Sequence, residues 1–267
     1  MSHVFSINKS TNRGKFALTF ITIFFIGWLS FSWYVYSNQI LLISIEGPIE
    51  DFQSTVLALY QGKLNNNVKA VVLYLNTPGG LASACMEISL YVKDLAKDKP
   101  VVAIMGAQAT SGGYYIASFA RYIFAHENSY TGGIGVIATW TDLSEYYQQQ
   151  GIKIWVWKTG YEKDFGAEWR SPTEAENASI SANVNSIFNI LITDIKNNRP
   201  NLSSESIEAI IAGGVFTGGM AVQMGLVDNI GNIIDAIGAA ASMAGLWKFI
   251  MVSSDMNEME KFFRALL

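Results

Sequence analysis

Apolar and polar positions divide this chain into one long uncharged run and a series of short ones. From Phe16 to Tyr36 there are 21 residues without a charge. As a helix rising ~1.5 Å per residue they would span roughly 31 Å, about the thickness of a hydrocarbon core. Beyond it the apolar runs are brief and regularly broken. "ILLISIEG" (40–47), "AVVLYL" (70–75), "VVAIM" (101–105), "YIFA" (122–125), "GIGVIA" (133–138) and "IKIWVW" (152–157) each predict a strand. "AVVLYL" is continuous and β-branched, the pattern of a strand covered on both faces. Helical spacing predicts helices over 52–64, 82–96, from 111 onward, 173–197, 203–212, 218–224 and 230–244. Strands alternating with helices predict one α/β domain with a largely parallel sheet, preceded by a transmembrane helix.

Composition sharpens the picture at the N-terminus. Half the residues are apolar and only 15% are charged, an excess that the long run explains. Trp28, Trp33, Tyr34 and Tyr36 cluster in its C-terminal half, as interfacial aromatics do. Lys9, Arg13 and Lys15 precede it, with no acidic residue among the first fifteen. The positive-inside rule then keeps the N-terminus cytoplasmic and sends the rest across the membrane. The expected organisation is a tail (1–15), an anchor (16–36), a domain (37–248) and a C-terminal tail (249–267). The last of these is a candidate short amphipathic helix. A net charge of −4 gives no electrostatic reason to expect nucleic acid as a partner. A single cysteine, Cys85, excludes an intrachain disulfide.

Two glycine-rich breaks carry the candidate chemistry. "NTPGG" (76–80) and "ATSGG" (109–113) each stand between a buried strand and a helix. Open α/β sheets place their sites at the C-terminal ends of strands, and glycines there let backbone N–H groups approach a ligand. Ser111 reads either as a helix N-cap or as a nucleophile with the helix dipole behind it. The stretch is not a GxSxG elbow, and no Walker loop exists in the chain. A nucleophilic serine needs a base. The two histidines are His3, in the N-terminal tail, and His126, after a strand; "KTGYEKDFG" (158–166) offers Lys158 and Lys163. A lysine base must lose its charge: near a pKa of ~10.4, about 4 in 10,000 amines are neutral at pH 7. An apolar pocket lowers that value by desolvation.

Taken in order, "LYLNTPGG", "ATSGGYYIASFARYIFAHENSYTGGIGVI", "KTGYEKDFG", "SPTEAE" and "GGVFTGGMAVQMGLVDNIG" resemble the signal peptide peptidase A family of membrane-anchored serine proteases. That family has the ClpP/crotonase-like fold, and the resemblance covers residues 40 to 245. It implies a Ser-Lys dyad with Ser111 as nucleophile and Lys163 as general base. It also implies Gly80 and Gly112 as backbone donors of the oxyanion hole, and no metal or cofactor. The implied substrates are remnant signal peptides, cut in or near the membrane, and the implied assembly is a dome-like homo-oligomer. On this reading the protein sits in a bacterial cytoplasmic membrane with its peptidase domain outside. Trp155, Trp157, Tyr161 and Phe165 would then supply the dry wall around Lys163, and Asp164 would have to point away from the amine. One departure stands out: the family's "TGSIG" is "TGGIG" here (131–135), so Gly133 replaces a serine expected to hold the lysine, leaving Thr131, Ser129 or water. Glu162 is a second, smaller departure. The rival classes are a catalytically inactive scaffold of the same fold and a crotonase-type acyl-CoA enzyme.

Overall fold

The structure, a computed structural model, describes residues 9–254. In chain order the elements are α1 (Lys9–Tyr36), β1 (Gln39–Glu46), α2 (Gln53–Leu64), β2 (Val68–Thr77), α3 (Ala82–Leu95), β3 (Val101–Thr110) and α4 (Gly112–Ala117). There follow β4 (Tyr122–Ala125), β5 (Tyr130–Gly132), α5 (Ser144–Gln149), α6 (Glu174–Asn198) and α7 (Ser204–Ile211). The chain continues through β6 (Val215–Thr217), α8 (Gly218–Gln223), β7 (Asn229–Ile230), α9 (Ile233–Met243) and β8 (Ile250–Ser253).

One sheet organises the domain, in the order β6-β5-β3-β2-β1-β8, with β4 pairing β3 and β7 pairing β4. Every pairing is parallel except β5 with β6. Strand β3 changes neighbour along its length. Residues 102–105 pair with β4 and residues 108–110 with β5. Both faces are covered, which is why the central strands read as unbroken apolar runs. Ile40, Leu42, Ala70, Val72, Val102 and Ile104 face Ala236, Ile237, Ala240 and Ala241 of α9. The alternate positions (Leu41, Ile43, Val71, Leu73, Val101, Ala103, Met105) pack with residues of α2, α3, α4 and α6 on the other side.

The long apolar run is helical throughout and exposed from Phe16 to Trp33, and the domain meets it near its end, where Trp247 lies against Phe31 and Tyr34. It is long and apolar enough to cross a membrane. At the other end, β8 pairs with β1, carrying the sheet past residue 248. The expected helix of the C-terminal tail lies almost wholly outside the described residues.

Two predicted strands are absent. Residues 133–138 and 152–157 have no regular structure. Their apolar character is real, but no described strand pairs with them. Ile154 is 41% exposed, Trp155 73% and Trp157 87%. Short strands β5, β6 and β7 take the sheet positions instead.

Cavity cost distinguishes core from surface. Ile104→Ala is expected to destabilise the folded domain by about 2–5 kcal/mol. The exposed change Leu90→Ala should stay within about 0.5 kcal/mol. Chemical denaturation of the detergent-solubilised protein measures both.

Candidate active site

Strand β3 ends at Thr110 and α4 begins at Gly112, which leaves Ser111 alone at the corner. Among the described residues it is the only non-glycine with positive φ, at φ 52° and ψ −120°. Such a conformation costs on the order of 1–3 kcal/mol and persists only where its surroundings impose it. Here they do. Ser111 N–H donates to Gly132 O at 2.7 Å, and Ser111 O accepts from Tyr115 N–H at 3.0 Å. Its side chain makes no capping bond to α4. The N-cap reading is therefore incomplete: Ser111 holds the position without the hydrogen bond that would justify a serine there. The corner has the shape of a nucleophile elbow without its motif. Here the small residues follow the serine (Gly112, Gly113) instead of flanking it.

These two glycines are required by contact, not only by flexibility. A Cβ on Gly112 would lie 2.3 Å from Cys85 Sγ, and one on Gly113 2.7 Å from Thr77 Cγ2. The other glycine-rich break closes in from β2. Gly79 takes φ 92°, and a Cβ there would lie 2.7 Å from Gly112 N. Ile49 N–H donates to Gly79 O and Leu81 N–H to Ile49 O, which anchors the loop on either side of Gly80. Gly112 N–H, first in its helix, has no intrahelical acceptor. The two predicted oxyanion donors thus belong to loops in direct contact, beside Ser111.

The corner opens into a cleft of about 500 Å³ that both glycines and Ser111 line. Its walls are otherwise apolar: Leu81, Cys85, Tyr115, Val136, Ile137 and Leu191. Burial pushes the Cys85 thiol up to about 11, so it is a neutral floor and not a rival nucleophile. Tyr115 O–H donates to Asp194 Oδ2 at 2.7 Å, tying α4 to α6 beneath the cleft. Local sequence pointed to Ser111 and the glycines. It carried no signal for Leu191, which reaches the cleft from α6, far along the chain.

Lys163 stands differently. It is exposed, does not line the cleft, and its ammonium group bonds to no described residue. The apolar residues expected to enclose it are themselves open to solvent, with Tyr161 95% and Phe165 50% exposed. One condition is met: Asp164 points away. Its carboxylate accepts from Arg170 and Lys158, and these cations, Arg170 first, hold it well below the usual carboxylate range. Arg170 also takes both oxygens of Glu176, whose own pKa is lowered chiefly by that contact. Glu176 closes a capping box with Thr173 at the start of α6. Arg170 lies over the Trp140 ring, which meets Phe165 edge-on at 5.5 Å. The lysine loop is therefore a lobe pinned to α6 through one guanidinium.

Gly133, with φ 62°, lies beside the corner: a Cβ there would be 3.8 Å from Ser111 N. Neither suggested substitute hydroxyl faces the cleft. Thr131 Oγ1 donates to Ala109 O at 2.8 Å and Ser129 Oγ to Gly106 O at 2.5 Å, both buried in the sheet. His126 is exposed and lines no part of the cleft.

The Arg170 cluster sets an acid limit. Its carboxylates have folded pKa values below their unfolded values near 4. Their contribution is therefore present above that pH and is lost as pH falls. The thermal midpoint should begin to drop below about pH 5 and keep falling to about pH 2. Arg170→Ala should lower the midpoint by several degrees at pH 7 and flatten that acid-side fall, as scanning calorimetry would read.

Comparison with known proteins agrees with this architecture. Residues 93–246, more than half of the chain, match Peptidase family S49. The chain is 31% identical over 227 residues to Protease 4 of Haemophilus influenzae, covering 77% of this chain and 35% of that protein. It is 30% identical over 215 residues to an Enterococcus faecium protein named as the signal peptide peptidase SppA, covering 75% of this chain and 62% of that one. It thus spans about a third and under two thirds of these relatives. In fold it is similar to a variant of the membrane-bound stomatin-specific protease 1510-N, with a TM-score of 0.51 at 18% identity over 76% of this chain and 84% of that one. With the sheet, the glycine loops and the Ser111 corner in the same order that the sequence resemblance implies, this chain belongs to Peptidase family S49.

Proposed function

We propose that this chain is a membrane-anchored serine endopeptidase, with Ser111 as nucleophile and Lys163 as general base, acting on remnant signal peptides. The observation that carries the reading is the strained backbone of Ser111 at the mouth of an apolar cleft, next to the N–H groups of Gly80 and Gly112. Ser111 Oγ attacks the peptide carbonyl carbon while its proton passes to the neutral amine of Lys163. The carbonyl oxygen, now negative, is held by the two glycine N–H groups. Collapse breaks the C–N bond, and the leaving amine takes the proton from Lys163. Water then attacks the acyl-serine by the same route and restores the hydroxyl. The apolar walls suit small or apolar side chains next to the cut bond.

Lys163 needs a dry setting that one copy does not supply. A second copy seated on the apolar strip formed by Ile154, Trp155, Trp157 and Tyr161 would cover that strip and enclose the loop. The exposure of these residues supports a homo-oligomer as the working form. Lys9, Arg13 and Lys15 before the anchor support an orientation with the domain outside the cytoplasm.

A second reading, a catalytically silent scaffold, is favoured by Gly133 and by the open position of Lys163. A fluorophosphonate probe separates the two. Labelling of Ser111, mapped by mass spectrometry and lost in Ser111→Ala, is expected of the peptidase; no labelling in the assembled protein in detergent or bilayer supports the scaffold. Ser111→Ala and Lys163→Ala should each lower hydrolysis of an apolar peptide by at least about 1,000-fold, measured as kcat/KM. If Lys163→Ala kept near-normal activity while His126→Ala lost it, the base assignment would fail.

A further inference from the structure

The anchor and the cleft lie at opposite ends of the sheet. Helix α1 passes into β1 through Ser37 and Asn38 alone. That junction is tied on both sides. Ser37 N–H donates to Trp33 O, Asn38 Nδ2 to Tyr34 O and Gln39 Nε2 to Tyr36 O, each reaching back into the helix. Gln39 N–H donates to Asn67 O, and Asn38 O accepts from Ile250 N–H, each reaching into the sheet. Asn38 and Gln39 are buried. Trp247, just before β8, stacks on Tyr34 at 5.5 Å and meets Phe31 at 5.8 Å, bracing the helix from a second point. No free linker separates anchor from domain.

Direction follows from register. Gln39 pairs with Val68 and Ile250, and Leu41 aligns with Val71, which aligns with Val101. Strands β1, β2, β3 and β8 therefore all start at the anchor end and run away from it. The domain does not fold back along the helix, because Phe16 to Phe31 is exposed throughout. Seven positions lead from Gln39 to Glu46, which aligns with Asn76; the next residue, Thr77, aligns with Ala109, two before Ser111, so at ~3.3 Å per residue the corner lies about 30 Å along the strands from the anchor junction.

We infer that the cleft works at a standoff of about 30 Å from the bilayer surface, so that its substrates are peptides whose scissile bond has already left the lipid. This rests on the peptidase and anchor readings above, and it narrows them: cleavage within the hydrocarbon is excluded. A substrate still held in the membrane needs about nine or ten extended residues, at ~3.4 Å each, between its lipid-held part and the cut bond.

Two measurements on the full chain in phosphatidylcholine–phosphatidylglycerol vesicles test this. The first needs no activity. A fluorophore is attached at S37C or at S111C, each in a Cys85→Ala background, with nitroxide-headgroup lipid as a short-range quencher. Quenching at position 37 is expected to exceed that at 111 by at least threefold; equal quenching overturns the standoff. The second uses an apolar fluorogenic peptide, either free or tethered to a palmitoyl chain. The tethers form a series of peptide spacers, the shortest with an extended reach of about 14 Å and the longest about 80 Å. The free peptide and the long-spacer forms should be cut at least tenfold faster than the shortest-spacer form. Cleavage should set in once the extended reach of the spacer passes about 30 Å. Equal rates with the shortest and the longest spacer overturn the inference. If the free peptide is not cut while position 111 stays unquenched, the geometry stands and the peptidase reading falls.

Discussion

Everything at the cleft depends on a steric constraint at the end of β3: two loops that touch through glycines and force one serine into a left-handed backbone. The sheet supplies the force. With helices packed on both faces, β2 and β3 cannot move apart, so "NTPGG" and "ATSGG" meet at van der Waals distance. Gly79, Gly112 and Gly113 exist because no Cβ fits between the two loops, Cys85 and Thr77. Ser111 lines the cleft at that corner, and its side chain makes no capping bond to α4. The strain is small beside the burial that imposes it, a balance typical of functional positions.

The lysine loop obeys a different logic. Arg170 gathers Asp164 and Glu176 and so decides where the lysine loop is fastened. By holding Asp164, it also keeps an adjacent carboxylate engaged away from Lys163, as the proposed role of that lysine requires. On the proposed reading, one half of the dyad stands at the rigid corner after β3 and the other is carried on a lobe with an exposed apolar face. Such a division suits a site completed by assembly.

Much of the fold was legible because burial leaves a period in the sequence. "AVVLYL" announced a strand covered on both faces, and Val68–Thr77 is that strand. The long helices and the lone uncharged run were equally plain. The same signal misled at "GIGVIA" and "IKIWVW". An apolar run says that a segment is to be covered, not that it pairs as a strand: Ile134 of the first is buried without one, and Trp155 and Trp157 of the second are exposed. Strands of two or three residues, such as Asn229–Ile230, are too short to leave any period. At the site, the residue types and order pointed to Ser111 and the glycines. The positive φ of Ser111, by contrast, arises from packing between distant segments, and no local motif encodes it. The hydroxyls of Thr131 and Ser129 look available in the sequence and are committed to the backbone of β3 in the fold.

The pairing of β8 with β1 has a consequence for how the molecule is made. Strand β1 follows the anchor directly, yet its outer neighbour is contributed by residues 250–253, more than two hundred positions later. A ribosome delivers β1 long before it delivers that neighbour. Until then β1 is an unprotected edge beside the membrane, the kind of surface that recruits foreign strands. Closing so long a loop is entropically slow. Maturation of this domain should therefore be limited by the arrival of that distant strand, and the nascent chain is most in need of chaperone cover in that interval.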